Sequence, residues 1–189
     1  MNQLYYLIFF LLAFSCTTKK PKEIFVLQSN KNIVTTNDVV FFNQQKFSGC
    51  LYSLHPNYTD TILIEHYYNG LLQGTCKKWF LNKQLMESRE FLLGKKNGQQ
   101  IAYWQNGNKR FEFTAKNDAY EGELKEWNFD GKLIHVAHFK NGQEYGTQQM
   151  WYDNGKIRAN YIIINGRRYG LLGTKNCKNV SDSLLNTLQ

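Results

Sequence analysis

Apolar and polar side chains alternate in short runs along most of this chain, and many of these runs stop at an asparagine–glycine or aspartate–glycine pair. Alternation of this kind indicates β-strands, because successive side chains of a strand point to opposite faces. Asn-Gly is a strong signal for a tight hairpin, since both residues tolerate left-handed backbone angles. The pattern predicts a series of β-hairpins over residues 38–173.

The hairpin pattern recurs with a fixed period of 24 residues. The glycines that mark the period are Gly74, Gly98, Gly122, Gly146 and Gly170. The large aromatic residues that stand five residues after the first four glycines are Trp79, Tyr103, Trp127 and Trp151. A fixed period is the signature of a repeat array. We therefore predict that these nine residues are structural positions of the repeat.

The turn of each hairpin can be inferred from the face on which the aromatic residue lies. With the repeat glycine counted as position 0, turns follow at positions 8 and 9, as in Asn106-Gly107 and Asn154-Gly155. A three-residue loop with a glycine bulge places the aromatic at position 5 on one face with positions 11 and 15. The apolar residues at those positions are Leu85, Phe113, Leu133, Ala137, Ile157 and Tyr161. We predict this loop rather than a two-residue loop.

The predicted fold is all-β, an antiparallel meander of about ten short strands in a single elongated, twisted sheet. One face carries the aromatic and aliphatic ladder, and the other is rich in Lys, Glu and Gln. Segments 39–42, 47–49 and 62–68 form a degenerate first unit. Gly49 precedes Gly74 by 25 residues, so the extra residue is placed in the loop at 55–58.

The amino terminus has the pattern of an export signal. Leu4 to Phe14 is an eleven-residue apolar run, and Ser15-Cys16 follows it. That run is short for a membrane span but typical of a secretory signal, and 13–16 resembles a bacterial lipobox. We predict a signal peptide over 1–15, lipid attachment at Cys16 and a tether over 16–37. The alternatives are an uncleaved anchor or an ordinary buried cysteine.

The formal net charge of +8 comes partly from a basic stalk at Lys19, Lys20 and Lys22. A mildly basic repeat body with a basic stalk does not form a nucleic-acid groove, so no nucleic-acid partner is predicted. Residues 174–189 lose the repeat pattern and are predicted to be a C-terminal tail.

Three segments carry a shared Asn-Gly-x-x-x-Gly motif: 68–74, 140–146 and 164–170. Over roughly residues 39–173 the chain resembles bacterial MORN-variant repeat proteins. The 24-residue form with Trp and Asn-Gly is similar to the YwqK-type antitoxins, many of which carry a lipoprotein signal. The resemblance implies an all-β repeat architecture, no catalysis, and a protein-binding or lipid-binding module.

The chain lacks the common catalytic motifs, and we predict no catalytic, cofactor-binding or metal-binding residues. His135 and His138 stand three apart on a strand, so they face opposite sides and cannot jointly hold one ion. Cys50 and Cys76 are offset by one position in adjacent units. They should also face opposite sides, which argues against a disulfide.

The aromatic beside the position-5 residue is the better candidate for partner contact, because it points to the other face. These candidates are Phe80, Trp104 and Tyr152. We predict a non-catalytic, lipid-anchored scaffold of the bacterial cell envelope, facing the periplasm or the exterior, that binds an unidentified protein. The alternatives are neutralisation of a cognate toxin, and lipid or glycan binding at the membrane.

Overall fold

The computed structural model describes residues 23–57 and 60–173, and the regular structure there consists of strands. The strands are β1 (Phe25–Leu27), β2 (Ile33–Thr36), β3 (Val39–Phe42), β4 (Gln45–Lys46), β5 (Gly49–Leu54), β6 (Thr61–Tyr68), β7 (Leu71–Leu72), β8 (Gly74–Trp79), β9 (Leu85–Leu92), β10 (Lys95–Tyr103), β11 (Lys109–Lys116), β12 (Ala119–Trp127), β13 (Leu133–Lys140), β14 (Gln143–Trp151), β15 (Ile157–Ile164) and β16 (Arg167–Leu171). Within these ranges no helix is long and apolar enough to cross a membrane. The predicted signal peptide, Cys16 and the tail at 174–189 lie outside them.

Strands β5 to β16 follow one another through the sheet in sequence order, with β7 and β8 both paired to β6. Together with β1 they make a 13-stranded sheet, with β1 at one end of the strand order and β16 at the other. Neighbouring strands of the array are antiparallel, which is the geometry that short hairpin connections allow. The predicted all-β meander of hairpin repeats is confirmed.

The hairpin turns have the predicted three-residue loop. Trp79 lies opposite Leu85, at position 11 of its repeat, and the register shifts immediately beyond this pair. Between Trp79 and Leu85, the Phe80 N–H donates to the Gln84 carbonyl at 2.9 Å and so closes a loop of three residues. The last of these, Lys83, has a left-handed φ of 70°. The pairs that repeat this register in the later hairpins are Tyr103 with Lys109, Trp127 with Leu133, and Trp151 with Ile157.

The prediction that position 15 shares a face with the position-5 aromatic is wrong. Phe113 and Ala137, both at position 15, lie opposite Gln100 and Leu124, which are at position 2 of their strands. Because positions 2 and 5 are three residues apart, Trp127 points to the face opposite Leu124. The physical reason is a bulge on the strand that leaves each hairpin. This bulge adds an unpaired residue at position 12 and reverses the parity of the rest of that strand.

The period glycine lies in a second bulge, on the strand that enters each hairpin. In strand β12 the register moves from Thr114–Glu121 to Phe113–Leu124, which leaves Gly122 and Glu123 without partners on β11. Gly122 has a φ of 77°, and a β-carbon there would meet nothing within 4 Å. Glycine is therefore required by the backbone angle and not by crowding.

Two glutamines fill the space that these bulges open in the backbone ladder. Gln100 and Gln148, both at position 2, have exposed fractions of 0%. Their Nε2 atoms donate to the carbonyls of Glu90 and His138, each at 2.8 Å. Those carbonyls belong to the residues opposite the bulges, so the side-chain amides replace hydrogen bonds that the bulges remove from the ladder.

Hydrogen bonds between successive turns connect neighbouring hairpins along both edges of the sheet. At one edge the bonds run from Asn82 Nδ2 to the Gln105 carbonyl (3.1 Å) and from Asn106 Nδ2 to the Phe129 carbonyl (2.7 Å). At the other edge they run from Gly94 N–H to the Leu72 carbonyl (2.8 Å) and from Gly142 N–H to the Tyr120 carbonyl (2.9 Å). The turn residues therefore have two roles, because they close one hairpin and also donate a hydrogen bond to the neighbouring hairpin.

The first unit is confirmed as a repeat with a longer loop. Leu54 pairs with Thr61, one residue farther along the chain than the corresponding pair of Trp79 and Leu85. The extra residue implied by the Gly49 spacing therefore lies in this loop. Leu51, at position 2 of the unit, has an exposed fraction of 2%, as expected for a buried position of the repeat.

The amino-terminal end of the sheet is covered by a small cap. Strand β1 pairs in parallel with β5, and β2, β3 and β4 form a separate three-stranded sheet. Val26, Val40, Phe47 and Leu51 make a buried apolar cluster between them. The predicted tether over 16–37 is therefore too long, since 25–27 and 33–36 are strands. The small sheet of β2 to β4 is an addition to the long sheet that the pattern predicted.

Candidate binding groove

A groove with a volume of about 390 Å³ lies in the middle of the array, across strands β9 to β13. Its lining residues are Arg89, Lys96, Trp104, Arg110, Phe111, Phe113, Tyr120, Leu124, Glu126, Trp127 and Ile134. Most of them belong to the face that carries positions 2 and 15. We call this surface the aromatic groove.

Trp104, a predicted contact residue, forms one wall of the aromatic groove. It is the first residue of its hairpin turn, where its N–H donates to the Asn108 carbonyl at 2.8 Å. Its indole Nε1 donates to the Trp127 carbonyl at 3.0 Å, and its ring meets the Phe129 ring edge-on at 6.1 Å. The ring is therefore held half-buried between two hairpins, in one orientation.

Three rings from strands β11 and β12 form an aromatic floor beside Trp104. The Phe111 and Phe113 centroids are 5.7 Å apart, and Phe113 and Tyr120 are 4.6 Å apart. Tyr120 in turn stacks on Phe139 at 4.9 Å, which extends the strip to strand β13. Ring pairs at these separations stabilise a sheet surface beyond their area of burial.

Two arginines lie over this aromatic surface. The Arg110 guanidinium is 4.9 Å from the centroid of the Trp104 ring, and that of Arg89 is 5.4 Å from Phe111. Arg110 is the unpaired residue of the hairpin bulge, between the pairs Ala102–Phe111 and Tyr103–Lys109. Bulges redirect side chains in this way.

Glu126 supplies the carboxylate that lines the aromatic groove, and His135 forms a hydrogen bond with this carboxylate. His135 Nδ1 lies 2.8 Å from Glu126 Oε2, and since a carboxylate can only accept, the ring nitrogen donates. This hydrogen bond is the main cause of a lowered pKa of the Glu126 carboxyl. The charges of His135 and Arg110 lower the pKa further, while burial opposes them.

A lowered pKa in the folded state predicts a specific pH dependence. Stabilisation by the Glu126 carboxylate is present at neutral pH and is lost as the pH falls below the ordinary carboxyl value of 4.5. We expect Glu126→Gln to lower the free energy of unfolding at pH 7, and the difference from the wild type to shrink as the pH falls below 4.5. Urea denaturation at a series of pH values measures this. A deficit that stays constant across the series would contradict it.

Phe80 and Tyr152 occupy the same turn position as Trp104, Phe80 in the preceding hairpin and Tyr152 in the second hairpin after it. Each donates its N–H to the carbonyl four residues on, as Trp104 does. Tyr152 is 51% exposed, and Phe80 is half-buried. These side chains mark one edge of the sheet, about 9.5 Å apart for neighbouring hairpins, and Asn128 interrupts the row. Neither Phe80 nor Tyr152 lines the aromatic groove.

The two neighbouring histidines have different partners, as their spacing predicted. His135 lies opposite Met150 and binds Glu126, whereas His138 lies opposite Glu123. His138 Nδ1 donates to the Thr147 carbonyl at 2.8 Å, and its Nε2 is 3.8 Å from a Glu123 oxygen. The strand parity directs the two rings to opposite faces.

Cys50 and Cys76 are both buried and unbridged. Burial is the main cause that raises the pKa of the Cys76 thiol to about 11, and burial also raises the pKa of Cys50. A raised pKa keeps both thiols protonated at neutral pH, and the protonated form is a poor nucleophile. The predicted absence of a bridge between these two cysteines is confirmed.

Thiol alkylation tests the environment of these cysteines. We expect iodoacetamide at pH 8 to modify Cys76 on the order of a hundredfold more slowly in the folded protein than in urea, because little thiolate is present. Peptide mass spectrometry resolves each cysteine, so Cys16 and Cys177 do not interfere. Equal rates of Cys76 modification with and without urea would show that the thiol is not buried.

Sequence reasoning missed most of the aromatic groove. Arg89 is a charged residue at position 15, where the pattern predicts apolar residues, and it lies over Phe111 on the groove face. Arg110 had no sequence signal of its own, since only the unpaired bulge position directs it toward Trp104.

Comparison with protein families supports the repeat assignment. The model of the MORN repeat variant matches residues 120–141 and 144–161, which lie between the start of β12 and the middle of β15. The matched segments begin within the aromatic groove, at Tyr120. This match supports the resemblance to MORN-variant repeats. No curated protein matches the chain.

Proposed function

We propose that this repeat protein is a non-catalytic, lipid-anchored protein of a bacterial cell envelope that binds a protein partner through the groove face of its sheet. The observation that carries the proposal is the aromatic groove, an open surface of preoriented rings and cations. Aromatic and arginine side chains are the residue types that contribute most to protein–protein binding. The repeat architecture supports it, since stacked repeats present extended binding surfaces.

Exposed apolar side chains beyond the groove support the same proposal. Leu81, Phe129 and Tyr152 lie on the turn edge and are 62%, 54% and 51% exposed. These three side chains belong to three hairpins along one edge of the sheet, where an extended partner could contact each of them. A partner that covers the groove and this edge would bury these side chains.

Capture of the partner in the producing cell tests the proposal. The full chain with an affinity tag is cross-linked in cells, purified, and its partner identified by mass spectrometry. We expect Trp104→Ala and Tyr152→Ala to reduce recovery of one stoichiometric partner. Tyr169→Ala is the matched control, because Tyr169 has the same exposed fraction of 51% but lies in the last strand. A complex that survives both test substitutions would show that another surface binds.

The lipid anchor and the alternative function, neutralisation of a cognate toxin, have separate tests. Cys16→Ala should abolish labelling by a fatty-acid probe and release the chain from the membrane fraction. Unchanged labelling and partitioning would refute the lipid anchor. If the captured partner is a toxin, and this chain relieves the growth defect that the toxin causes, the function is neutralisation of that toxin.

A further inference from the structure

We infer that the aromatic groove binds a side-chain carboxylate of an extended acidic segment in the partner, with Arg110 as the principal ligand and Lys96 as the second cation. This inference rests on the proposed protein-binding function. It names the chemistry that the groove recognises and the residue on which recognition depends.

The Arg110 guanidinium is positioned to donate hydrogen bonds to an acceptor. Its guanidinium stacks on the Trp104 ring at 4.9 Å, and the indole is itself fixed by its hydrogen bond to the Trp127 carbonyl. Within residues 23–57 and 60–173, Arg110 forms neither an ion pair nor a side-chain hydrogen bond. A stacked guanidinium keeps its N–H edge available, and this edge matches a carboxylate in a two-bond geometry.

The charges of the aromatic groove leave an excess of cations. Three cations and one carboxylate line it. Arg89 is held by Glu87 at 2.8 Å, and Glu126 is held by His135. Lys96, like Arg110, has no ion pair among the described residues, and its own backbone N–H is bound by Asp118. Arg110 is close enough to Glu126 to lower the pKa of that carboxyl, so the groove lining has three cations for one carboxylate, and this excess of positive charge attracts an anion.

The surroundings favour a single carboxylate over a polyanion. Glu126 lines the groove and Glu87 lies beside Arg89, so a phosphate chain would meet like charges there. The floor of Phe111, Phe113 and Tyr120 offers apolar contact next to the cations. An extended segment in which acidic and apolar residues stand two apart meets both conditions, because residues i and i+2 point to the same face, so that one reaches the cations while the other covers the rings.

The matched control for Arg110 is Arg158. It is the unpaired bulge residue of a later hairpin, between the pairs Met150–Ala159 and Trp151–Ile157, and it is exposed as Arg110 is. It does not line the aromatic groove. The two substitutions Arg110→Gln and Arg158→Gln thus remove the same charge from the same local structure, and only the first alters the groove.

The experiment measures fluorescence anisotropy of a labelled peptide of Glu-Ser-Leu-Ser repeats, in which glutamate and leucine share one face of the extended chain, titrated with the full chain. We expect Arg110→Gln to weaken binding about tenfold or more, since a charge-assisted hydrogen-bonded pair is lost. Lys96→Gln should weaken it less, and Arg158→Gln should leave it unchanged. A peptide with glutamine in place of glutamate should bind as weakly to the wild type as the acidic peptide binds to Arg110→Gln.

Several results would overturn the inference. These are no binding of the acidic peptide, equal effects of Arg110→Gln and Arg158→Gln, or tighter Arg110-dependent binding of anionic lipid vesicles or single-stranded DNA. The two proposals can fail separately. A partner that Arg110→Gln still captures in cells refutes carboxylate recognition and leaves protein binding intact. Peptide binding that depends on Arg110, with no partner captured in cells, supports carboxylate recognition and contradicts the proposed function.

Discussion

Replacing Phe47 by alanine is expected to lower the free energy of unfolding by about 3–5 kcal/mol, the range for removing a fully buried ring. Phe47 is 3% exposed and lies at the centre of the cap cluster with Val40 and Leu51. The centroid of its ring lies 6.1 Å from that of Phe42 and 6.0 Å from that of Tyr67. The loss is large because the cap and the first hairpin share this one ring, and no second layer fills the cavity.

Urea denaturation followed by tryptophan fluorescence measures the Phe47 effect. Phe129→Ala is the control, because Phe129 is the same residue type but 54% exposed, and it should cost less than about 1 kcal/mol. Hydrogen exchange adds a spatial test. Protection should fall first in β1 to β6, because each repeat contacts only its neighbours. Equal losses for the two variants would show that the cap does not stabilise the array.

Gly70→Ala is expected to lower the free energy of unfolding by roughly 2–5 kcal/mol. Gly70 has a φ of 80°, and an added β-carbon would lie 2.5 Å from Val39 Cγ1 and 2.7 Å from the Val40 carbonyl oxygen. Left-handed strain alone costs roughly 1–2 kcal/mol, and forcing the cap away adds roughly 1–3 kcal/mol. The backbone cannot shift freely, because the Gly70 N–H donates to the Phe47 carbonyl at 2.7 Å.

Gly166→Ala separates the two contributions. Gly166 follows Asn165 in the equivalent turn with a φ of 73°, and its added β-carbon would meet nothing within 4 Å. This variant should show only the strain of roughly 1–2 kcal/mol. The difference between the two variants in denaturation experiments measures the contact between the cap and the array. If they lose the same stability, then the cap yields and the close approach of Val39 is unimportant.

The fold was predictable to a large extent because its determinants are local. Asn106-Gly107 and Asn154-Gly155 select the turn through backbone angles that few other residues tolerate. The turn then sets which residue lies opposite Trp127, and the observed partner is the predicted Leu133. The 25-residue spacing before Gly74 likewise located a longer loop correctly.

The face assignment could not be derived in the same way. A bulge adds one residue and reverses the parity of the strand beyond it, so Phe113 and Trp127 lie on different faces although their spacing suggested one. The cap was missed for another reason. Strands β1 to β4 lack the repeat period, and they are stable because Val26 and Phe47 pack against Leu51.

The sequence alone determined the repeat, its hairpins and the loop type, since glycine and Asn-Gly act through the backbone angles of a few adjacent residues. It also identified Trp104 as a candidate contact residue, and Trp104 lines the aromatic groove. Only the tertiary structure decided where Arg110 points, which rings make the floor of the groove, and how the cap covers the first hairpin. Those features depend on contacts between residues of different strands, and the hairpin bulge that directs Arg110 has no characteristic residue type at position 12 of the repeat.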